Sequence, residues 1–532
     1  MRISKEKMEG TLKDMPRPSG TAIVYLVGAG PGDPGLITVK GRQCIEAADI
    51  IIYDYLASPA LLNHARPDAE RIYVGKKGGD HTLSQDEINL LLVEKARTGA
   101  VVTRLKGGDP FIFGRGGEEA EVLRNAGIDF EIVPGVTSAI AAAAYAGIPL
   151  THRALTSTVA FVTGHEDPTK SASSIDWRAL ATGIGTLVFF MGVKNLPNIV
   201  NRLREGGKPA ETPAAVIRWG TTPYQRTVTG SLANIGERVL SAGIKAPAII
   251  VVGEVASLRS SLKWFERRPL LGKTIVVTRA REQASDLVGR LWELGAACLE
   301  VPTIRVAAPT DSNPLDDALG NLDGYDWIVF TSVNGVACFF DRLFATGKDV
   351  RALRQMRTAA IGPATAAKLR TFGLNSDIVP ETYRAESVVE AFRTQHLDGS
   401  HILVPRAQAA RPVLPAALRK MGARVDEVPV YQTLAVADKA PDLVDVLAQR
   451  KIDVVTFTSS STVRNFMALV PEADAHQLLE GVTVASIGPI TADTARSLGL
   501  DVHISADEYT IPGLCDAIVN FFGEPRQQHN EN

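Results

Sequence analysis

A long internal repeat sets the strongest constraint on what this chain can fold into. Three pairs of segments match at offsets of 127, 127 and 126 residues: Gly272-Lys-Thr-Ile-Val-Val with Gly399-Ser-His-Ile-Leu-Val, Asp326-Trp-Ile-Val-Phe-Thr-Ser with Asp453-Val-Val-Thr-Phe-Thr-Ser, and Ile361-Gly-Pro-Ala-Thr-Ala with Ile487-Gly-Pro-Ile-Thr-Ala. Register kept over such distances indicates a duplicated unit in which short apolar strands alternate with helical stretches. Two copies predict a two-lobed α/β module rather than a solenoid, with a cleft between lobes as the expected ligand site.

Residues 22–260 also read as α/β, because short apolar runs that predict buried strands alternate with amphipathic stretches. The runs are 22–27, 50–53, 101–105, 160–162, 187–190 and 248–252. Residues 259–271 show neither pattern and contain Pro269, so they are the predicted linker. A chain of 532 residues is too long for one core. We therefore expect five parts: a charged, disordered tail (1–20), a first module (21–258), the linker (259–271), a second module (272–525) and a short tail (526–532).

Composition excludes several classes of function. The 57 basic and 59 acidic residues give a net charge of -2, without the basic excess of a nucleic-acid or anionic-membrane binder. The four cysteines form no CxxC pair, and the nine histidines form no HExxH or His/Cys cluster, so we predict neither a disulfide framework nor a metal site. No apolar run reaches the roughly 18 residues that a membrane helix needs. We expect a cytoplasmic protein with no membrane or nucleic-acid partner.

Glycine-rich loops follow two of the predicted strands. Gly28-Ala-Gly-Pro-Gly-Asp-Pro-Gly35 fits a dinucleotide loop poorly, because the third glycine of that motif would be Asp33 and Pro31 lacks an N–H donor. On its own this loop fits a simple Gly/Pro turn equally well. Residues 105–119 form a second loop, Leu-Lys-Gly-Gly-Asp-Pro-Phe-Ile-Phe-Gly-Arg-Gly-Gly-Glu-Glu, and Pro134-Gly-Val-Thr-Ser138 opens an alanine-rich helix.

These three blocks together resemble the uroporphyrinogen-III C-methyltransferase family, S-adenosylmethionine enzymes of the two-lobed tetrapyrrole methylase fold. The resemblance covers about residues 22–265. It implies that S-adenosyl-L-methionine binds at nine positions: Pro31, Gly107, Gly108, Asp109, Ile112, Thr137, Ser138, Met191 and Gly220. A methyl donor carries no phosphate, so close backbone approach at glycines suits it better than an anion-binding loop. Core packing for Met191 and a turn cap for Asp109 are the structural alternatives.

The same resemblance implies catalytic roles for Asp54 as proton acceptor and Lys76 as proton donor. Both follow predicted strands, where α/β sheets present their chemistry; an Asx turn for Asp54 and a solvated charge for Lys76 are the alternatives. Methyl transfer to a pyrrole carbon depends more on positioning than on acid–base strength. The implied substrate carries eight carboxylates, and several basic residues near the motifs are candidates to pair with them: Lys76, Lys77, Arg104, Lys106, Arg115 and Arg153. A solvated surface charge is the alternative for each of them.

Residues 272–525 resemble uroporphyrinogen-III synthase, which closes linear hydroxymethylbilane without a cofactor while inverting its last ring. The carrying segments include Val276-Val-Thr-Arg279, Phe330-Thr-Ser332 and Phe457-Thr-Ser459. Exchange of strands between lobes in that family implies lobe one at 272–305 and 435–525 and lobe two at 306–432. Predicted strand ends and helix starts, where side chains and backbone N–H groups can bind substrate carboxylates, carry six candidates: Arg279, Ser332, Thr365, Arg406, Ser459 and Thr491. Helix capping is the alternative for each serine and threonine.

The resemblance places a functional tyrosine at Tyr431, whose counterpart in the other repeat copy is Ile304. A phenol can donate a proton to the departing hydroxyl of the substrate. An ordinary strand tyrosine is the alternative. The copies thus differ at the position where the family needs a hydroxyl.

The two resemblances together predict one bifunctional enzyme of sirohaem or cobalamin precursor synthesis. It would cyclise hydroxymethylbilane to uroporphyrinogen III and methylate that product twice to precorrin-2. One alternative is a methylase for a later corrin intermediate, and another is a synthase-like module that binds tetrapyrrole without catalysis. A homodimer through the methylase module is implied by resemblance alone.

Overall fold

A computed structural model of the chain describes residues 22–75, 83–165, 174–278, 281–301, 303–381, 385–410, 412–436, 440–471 and 474–523. The chain divides into two compact units: residues 1–273 with 291–297, and residues 274–290 with 298–532. Both predicted tails lie outside the described residues. Each unit is α/β, as the sequence predicts, and is built on two five-stranded sheets.

The first sheet of the first unit is parallel, with strand order β3-β2-β4-β1-β5. Its strands are β1 (Ile23–Gly28), β2 (Ile50–Tyr53), β3 (Glu70–Tyr73), β4 (Val101–Lys106) and β5 (Asp129–Val133). Helices cover both faces, as parallel sheets require. They are α1 (Val39–Ala47), α2 (Gln85–Arg97) and α3 (Gly116–Asn125). Because all five strands run the same way, their carboxyl ends lie at one edge, where the two glycine-rich loops begin.

The second sheet has the order β6-β7-β10-β8-β9, and its last three pairings are antiparallel. Its strands are β6 (Val159–Thr163), β7 (Thr186–Phe190), β8 (Pro213–Arg218), β9 (Arg226–Ser231) and β10 (Ala248–Val252). The alanine-rich helix α4 (Ser138–Tyr145) joins the two sheets and packs its alanines against β7 and β10. Helices α5 (Trp177–Gly183), α6 (Leu196–Glu205) and α7 (Ile235–Ser241) complete this lobe.

The predicted linker is wrong for residues 259–267. The chain there forms helix α8 (Arg259–Leu262) and a 3-10 turn (Phe265–Arg267), and the Phe265 side chain is 1% exposed. The Phe265 ring packs on Tyr145 at a centroid distance of 4.9 Å. Arg259 is buried as well and donates to the carbonyl of Ala146. This segment is therefore an integral part of the first unit.

The second unit contains a parallel sheet of order β12-β11-β18-β19-β20 and a mixed sheet of order β13-β17-β16-β14-β15. The strands are β11 (Thr274–Val277), β12 (Ala297–Glu300), β13 (Ile304–Ala307), β14 (Trp327–Phe330), β15 (Arg357–Ala360), β16 (His401–Ala407), β17 (Arg424–Ala435), β18 (Val454–Phe457), β19 (Thr483–Ser486) and β20 (Val502–Ser505). Strands β11 and β14 belong to the first repeat copy yet lie in different sheets, and strands β16 and β18 of the second copy are divided in the same way, so neither repeat copy forms a lobe by itself.

Eleven helices are described in this unit: α9 (Arg281–Glu293), α10 (Asn313–Gly320), α11 (Val333–Ala345), α12 (Pro363–Thr371), α13 (Ala385–Phe392), α14 (Val413–Lys420), α15 (Ala440–Ala448), α16 (Ser460–Leu469), α17 (Ala475–Leu478), α18 (Pro489–Ser497) and α19 (Ile511–Gly523). Across both units, none of the helices in the described part of the chain combines the length and apolar character needed to cross a bilayer.

The predicted lobe boundaries differ from the sheets by a few residues. Ile304 and Arg305 were expected in lobe one, but β13 pairs antiparallel with β17, with Ile304 opposite Ala435. Ala435 was likewise expected in lobe one. The length of β17 explains both differences, because its second half continues past β16 to form a ladder with β13.

Candidate functional sites

Three glycines close the carboxyl edge of the first sheet. A Cβ atom on Gly135 would lie 2.3 Å from the carbonyl oxygen of Gly108, and one on Gly28 would lie 2.5 Å from the Cα of Gly135. The Gly30 N–H donates to the Gly108 carbonyl at 3.2 Å, and the Gly108 N–H donates back at 2.7 Å. No residue with a side chain fits at Gly28 or Gly135 without moving backbone. The closely packed backbone of Gly28, Gly30, Gly108 and Gly135 forms a surface next to Pro31, which we call the backbone floor.

Asp109 fixes the second loop to this floor. Its Oδ1 accepts from the N–H groups of Phe111 (2.8 Å) and Ile112 (3.1 Å), and its Oδ2 accepts from the Gly135 N–H (3.0 Å). The turn-cap alternative is thus part of what Asp109 does. A Cβ on Gly108 would sit 3.8 Å from the Thr137 Cα. The loop that contains Gly107 and Gly108 consequently faces the start of α4, where Thr137 and Ser138 lie.

Met191 does not fill the core. Its side chain is 54% exposed and its φ is +55°, a left-handed conformation that is uncommon for this residue type. It lines an open depression of about 520 Å³ together with Phe111, Phe113 and Glu118. The Phe113 ring packs on Phe190 at 5.0 Å, which brings the second glycine loop to the end of β7.

Gly220 lies after β8 and packs against α4. A Cβ at this position would lie 2.2 Å from the Cβ of Ala142. The next residue, Thr221, accepts a hydrogen bond of 3.1 Å from the Asp33 N–H through its Oγ1. The first glycine loop, α4 and the loop after β8 are thereby joined. Eight of the nine predicted cofactor residues lie on loops and Ser138 is the first residue of α4; these contacts connect the segments that carry them.

Asp54 follows β2, as predicted, and its carboxylate is held on both oxygens. Oδ1 accepts from the Leu56 N–H at 3.1 Å, which is the Asx-turn contact, and Oδ2 pairs with Arg104 at 3.3 Å. A Cβ on Gly107 would lie 2.4 Å from the Leu56 Cβ, so the turn that contains Asp54 abuts the second glycine loop. Lys76, its predicted partner in catalysis, lies outside the described residues, as does Lys77.

Arg104 and Lys106 do not face a substrate, contrary to the expectation for these two cations. Each residue is 3% exposed, and both bind the fully buried Glu119 on α3, Lys106 at 2.7 Å and Arg104 at 3.3 Å. Burial lowers the pKa of Lys106, and the neighbouring Arg104 charge lowers it further, against the opposing effect of Glu119. Together with Asp54 they form a neutral cluster of two cations and two carboxylates. Arg115 pairs instead with the exposed Glu118 at 2.6 Å.

Sequence reasoning missed residues with left-handed backbone around this site. Phe113, Trp219 and Thr221 have φ values of +54°, +48° and +70°, and such conformations in residues other than glycine concentrate at functional sites. Residue type gave no signal for Trp219 or Thr221. For Phe113 a signal existed, since two phenylalanines in a glycine-rich loop are unusual apolar residues in an exposed segment.

In the second unit, Ser332 and Tyr431 come together. Their hydroxyl oxygens are 3.2 Å apart, and Ser332 also caps α11 by accepting from the Gly335 N–H at 2.9 Å. Tyr431 is 8% exposed and contributes to the core beneath α11. Burial raises its pKa, more than the hydrogen bond with Ser332 lowers it, so the phenol is protonated at neutral pH. Capping and substrate contact remain compatible for Ser332.

The other described substrate candidates lie at the starts of α12, α16 and α18 and on β16. Ser459 caps α16 in a capping box with Thr462, while Thr365 and Thr491 are buried in the first turns of α12 and α18. Arg406 is buried and binds the carboxylate of Glu427, which Arg419 also contacts. Arg406 thus has a carboxylate partner within its own sheet. Arg279 lies outside the described residues.

Comparison with known proteins gives two family matches. Residues 23–236 match the tetrapyrrole (corrin/porphyrin) methylases, and residues 285–516 match uroporphyrinogen-III synthase HemD. The chain is similar to the porphyrin biosynthesis protein HemD of Ruminiclostridium josui, with 38% identity over 94% of this chain and 98% of that protein. It is similar over 45% of its length to the S-adenosyl-L-methionine-dependent uroporphyrinogen III methyltransferase of Methanosarcina barkeri, with 55% identity over 94% of that protein.

Among solved structures, the uroporphyrin-III C-methyl transferase of Thermus thermophilus complexed with S-adenyl homocysteine is 39% identical and covers 44% of this chain and 99% of that one, with a TM-score of 0.38.

The fold and the matches define an enzyme of tetrapyrrole biosynthesis with a uroporphyrinogen-III C-methyltransferase domain followed by a HemD synthase domain. The full-length match to the Ruminiclostridium josui protein shows how the two domains occur together. The chain belongs to this family of fused methylase and uroporphyrinogen-III synthase proteins.

Proposed function

We propose that the chain catalyses both reactions in sequence: closure of hydroxymethylbilane to uroporphyrinogen III, then two methyl transfers from S-adenosyl-L-methionine to give precorrin-2. The observation that carries this proposal is the pairing of the two domains in one chain, since the product of a synthase is the substrate of a C-methyltransferase. The methyl acceptor is thus formed by the same protein that consumes it.

The backbone floor supports S-adenosyl-L-methionine as the methyl donor. This donor supplies an electrophilic methyl group on a sulfonium cation, and it has no phosphate that would call for an anion-binding loop. Gly28, Gly108 and Gly135 leave no side chain above the floor, which suits close approach of backbone carbonyls to a cation. We propose that Pro31, Gly107, Asp109, Ile112, Thr137, Ser138, Met191 and Gly220 surround it together with Gly108.

Asp54 is proposed as the proton acceptor after methyl transfer. Arg104 and the Leu56 N–H fix its carboxylate, so its orientation is set before substrate binds. In the synthase domain, Tyr431 is proposed to assist departure of the hydroxyl, with Ser332 orienting the phenol. That reaction is proposed to need no cofactor. We retain Lys76 and Arg279 as proposals on the resemblance.

Product mass tests the reaction sequence. The full chain, given hydroxymethylbilane and S-adenosyl-L-methionine, should release a product with the mass of doubly methylated uroporphyrinogen III. Without the methyl donor it should release uroporphyrinogen III as the type III isomer. Methylation of a later corrin intermediate but not of uroporphyrinogen III would favour the alternative methylase. Type I isomer alone would mean that the synthase domain only binds tetrapyrrole.

Gly108→Val tests the donor site. Gly108 has a φ of +70°, and a β-branched residue there should push the loop off the Thr137–Ser138 turn and abolish S-adenosyl-L-methionine binding, measured by calorimetry. Gly99→Val is the matched control, because Gly99 has a φ of +83° and a Cβ there meets no described atom within 4 Å. Equal donor affinity in the two folded variants would refute the assigned loop.

A further inference from the structure

The loop after β8 holds a strained residue at the centre of the donor site. Thr221 is fully buried and its φ is +70°, which a β-branched side chain rarely adopts. A backbone of this kind persists only where its surroundings fix it. Its hydroxyl oxygen accepts a hydrogen bond from the Asp33 N–H at 3.1 Å. The conformation of Thr221 therefore affects the position of the Gly30–Asp33 turn, which contains Pro31.

A chain of hydrogen bonds through the side chains of Gln225 and Glu266 fixes the position of Thr221. The Thr221 N–H donates to Oε1 of Gln225 at 2.8 Å, and Nε2 of Gln225 donates to Oε1 of Glu266 at 2.9 Å. Gln225 is buried, and both ends of its amide are matched to a partner of the right kind. Its orientation is therefore unique, with the carbonyl toward Thr221 and the amino group toward Glu266.

Glu266 is itself held by two other donors. Thr227 donates its hydroxyl to the same Oε1 at 2.5 Å, and Oε2 pairs with the guanidinium of Arg259. Arg259 also donates to the carbonyl of Ala146 at 2.5 Å, just beyond the end of α4. The side chains of Arg259 and Glu266 are 10% and 17% exposed. This carboxylate thus connects the Arg259–Arg267 segment to the donor loops.

A second contact from the same segment reaches the same turn. Tyr145 donates its hydroxyl to Oδ2 of Asp33 at 2.8 Å, and its ring packs between Trp264 and Phe265 at 5.0 and 4.9 Å. The Trp264 indole N–H donates to the Ala144 carbonyl at 3.1 Å. Asp33 is therefore held on its backbone by Thr221 and on its side chain by Tyr145, and both supports rest on residues 259–267.

We propose that Glu266 is a positioning residue for the methyl-donor site, acting through Gln225 and Thr221 to hold the Gly30–Asp33 turn in its binding conformation. This inference rests on the proposed function of that turn. The partners of Glu266 are Gln225, Thr227 and Arg259, so it is not among the residues proposed to contact the donor or the acceptor. Its effect should fall on donor affinity rather than on the chemical step.

Glu266→Gln in the full chain tests this role. The glutamine side chain has the same shape as glutamate, but its NH₂ group must face either the Arg259 guanidinium or the Gln225 amino group. Both of these groups are donors, so one hydrogen bond is lost. Loss of a charge-assisted hydrogen bond in a buried network should raise the Kd for S-adenosyl-L-methionine about tenfold. The kcat at saturating donor and the KM for uroporphyrinogen III should stay within about twofold of wild type. Glu254→Gln, an exposed glutamate in the same region of the chain, is the matched control and should leave all three values unchanged.

Hydrogen exchange separates failure of this inference from failure of the proposed function. In Glu266→Gln the amides of Asp33 and Thr221 should exchange faster than in wild type, whether or not the donor binds. If wild type does not bind the donor, the proposed function fails and exchange alone decides the positioning role. Wild-type exchange together with wild-type donor affinity in the folded variant would overturn the inference, and so would loss of kcat with donor affinity unchanged.

Gln225→Met provides a second route if Glu266→Gln does not fold. Methionine keeps the length of the side chain and removes both hydrogen bonds, so the same loss of donor affinity is expected. If both residues act through one chain of contacts, the double variant should lose no more affinity than the weaker-binding single variant. Additive losses would show that Glu266 acts by another route and would contradict the proposal.

Discussion

At the scale of single residues, the buried charges beneath the donor loops form a balanced set. Arg104→Met should destabilise the methylase domain by about 3 kcal/mol, because Asp54 and Glu119 lose a buried cation while Lys106 continues to bind Glu119. The free energy of unfolding is obtained from hydrogen exchange of the β4 amides, which reports on this domain alone. Arg42→Met is the control, since the exposed Arg42–Glu46 pair is worth at most about 1 kcal/mol. Equal losses of stability in the two variants would show that the buried cluster stabilises the domain no more than an exposed ion pair does.

Tyr431→Phe addresses the synthase site at the same scale. Loss of the phenol should lower the rate of synthase turnover by about a hundredfold or more. Closure without ring inversion would then release more type I isomer, while methylation of supplied uroporphyrinogen III stays normal. Tyr325→Phe is a matched control, because it removes another buried tyrosine hydroxyl of the same hydrophobic core, one bonded to Asp426 at 2.8 Å. A wild-type isomer ratio in Tyr431→Phe would return this residue to a packing role.

The same residues show where inference from sequence ends. Asp54 and the glycine-rich loops at 28–35 and 105–119 could be predicted at strand ends because each follows an apolar run. Arg104 and Lys106 were misread because their partner, Glu119, lies on the next helix, and nothing in the local pattern reveals that pairing. Thr221 could not be found at all, since its left-handed backbone is fixed by Gln225 and by the distant Glu266 rather than by its residue type.

At the scale of elements, three strands of the second unit are joined at their amino ends by one carboxylate. Asp426 on β17 accepts from Tyr325, which precedes β14, and contacts Nε2 of His401, the first residue of β16, both at 2.8 Å. Burial opposes its ionisation, but the hydrogen bonds from Tyr325 and His401 outweigh burial and lower its pKa. A carboxylate with a lowered pKa stabilises the fold above its unfolded pKa of about 3.9, and that contribution is lost as pH falls through the folded pKa.

We therefore expect Asp426→Asn to reduce the protection of the β14 and β16 amides at neutral pH, with a difference from wild type that shrinks below about pH 4. Asp317→Asn, at an exposed position on α10, serves as the control and should show no such change. A difference that grows as pH falls would contradict the assigned direction of the pKa shift.

Elements differ in how well the sequence predicts them. Strands β1, β2, β7 and β10 are buried along most of their length and appear as nearly continuous apolar runs. The edge strand β9, Arg226-Thr-Val-Thr-Gly-Ser231, is mostly polar and gives no such run. The Arg259–Arg267 segment does not appear as a structured element in the sequence because composition does not reveal that Arg259 and Glu266 pair with each other.

At the scale of the whole molecule, the end of the methylase domain can be tested directly. A fragment of residues 1–273 should fold and bind the methyl donor, whereas residues 1–258 should bind it far more weakly. The shorter fragment lacks the buried Phe265, and loss of a buried phenylalanine alone costs about 3–5 kcal/mol. Unfolding midpoints and donor calorimetry on both fragments measure this. Equal stability and affinity would restore the linker interpretation.

The exchange of strands between the two repeat copies fixes an order of events during synthesis. Strand β11 pairs with β18, and the Thr274–Asp453 hydrogen bond joins residues 179 positions apart. The sheet made by β13–β17 is complete by Ala435, before β18 has left the ribosome. Until then β11 has an unpaired edge, and such edges invite association with other chains. The nascent protein is therefore most vulnerable to aggregation after the β13–β17 sheet has formed and before β18 pairs with β11.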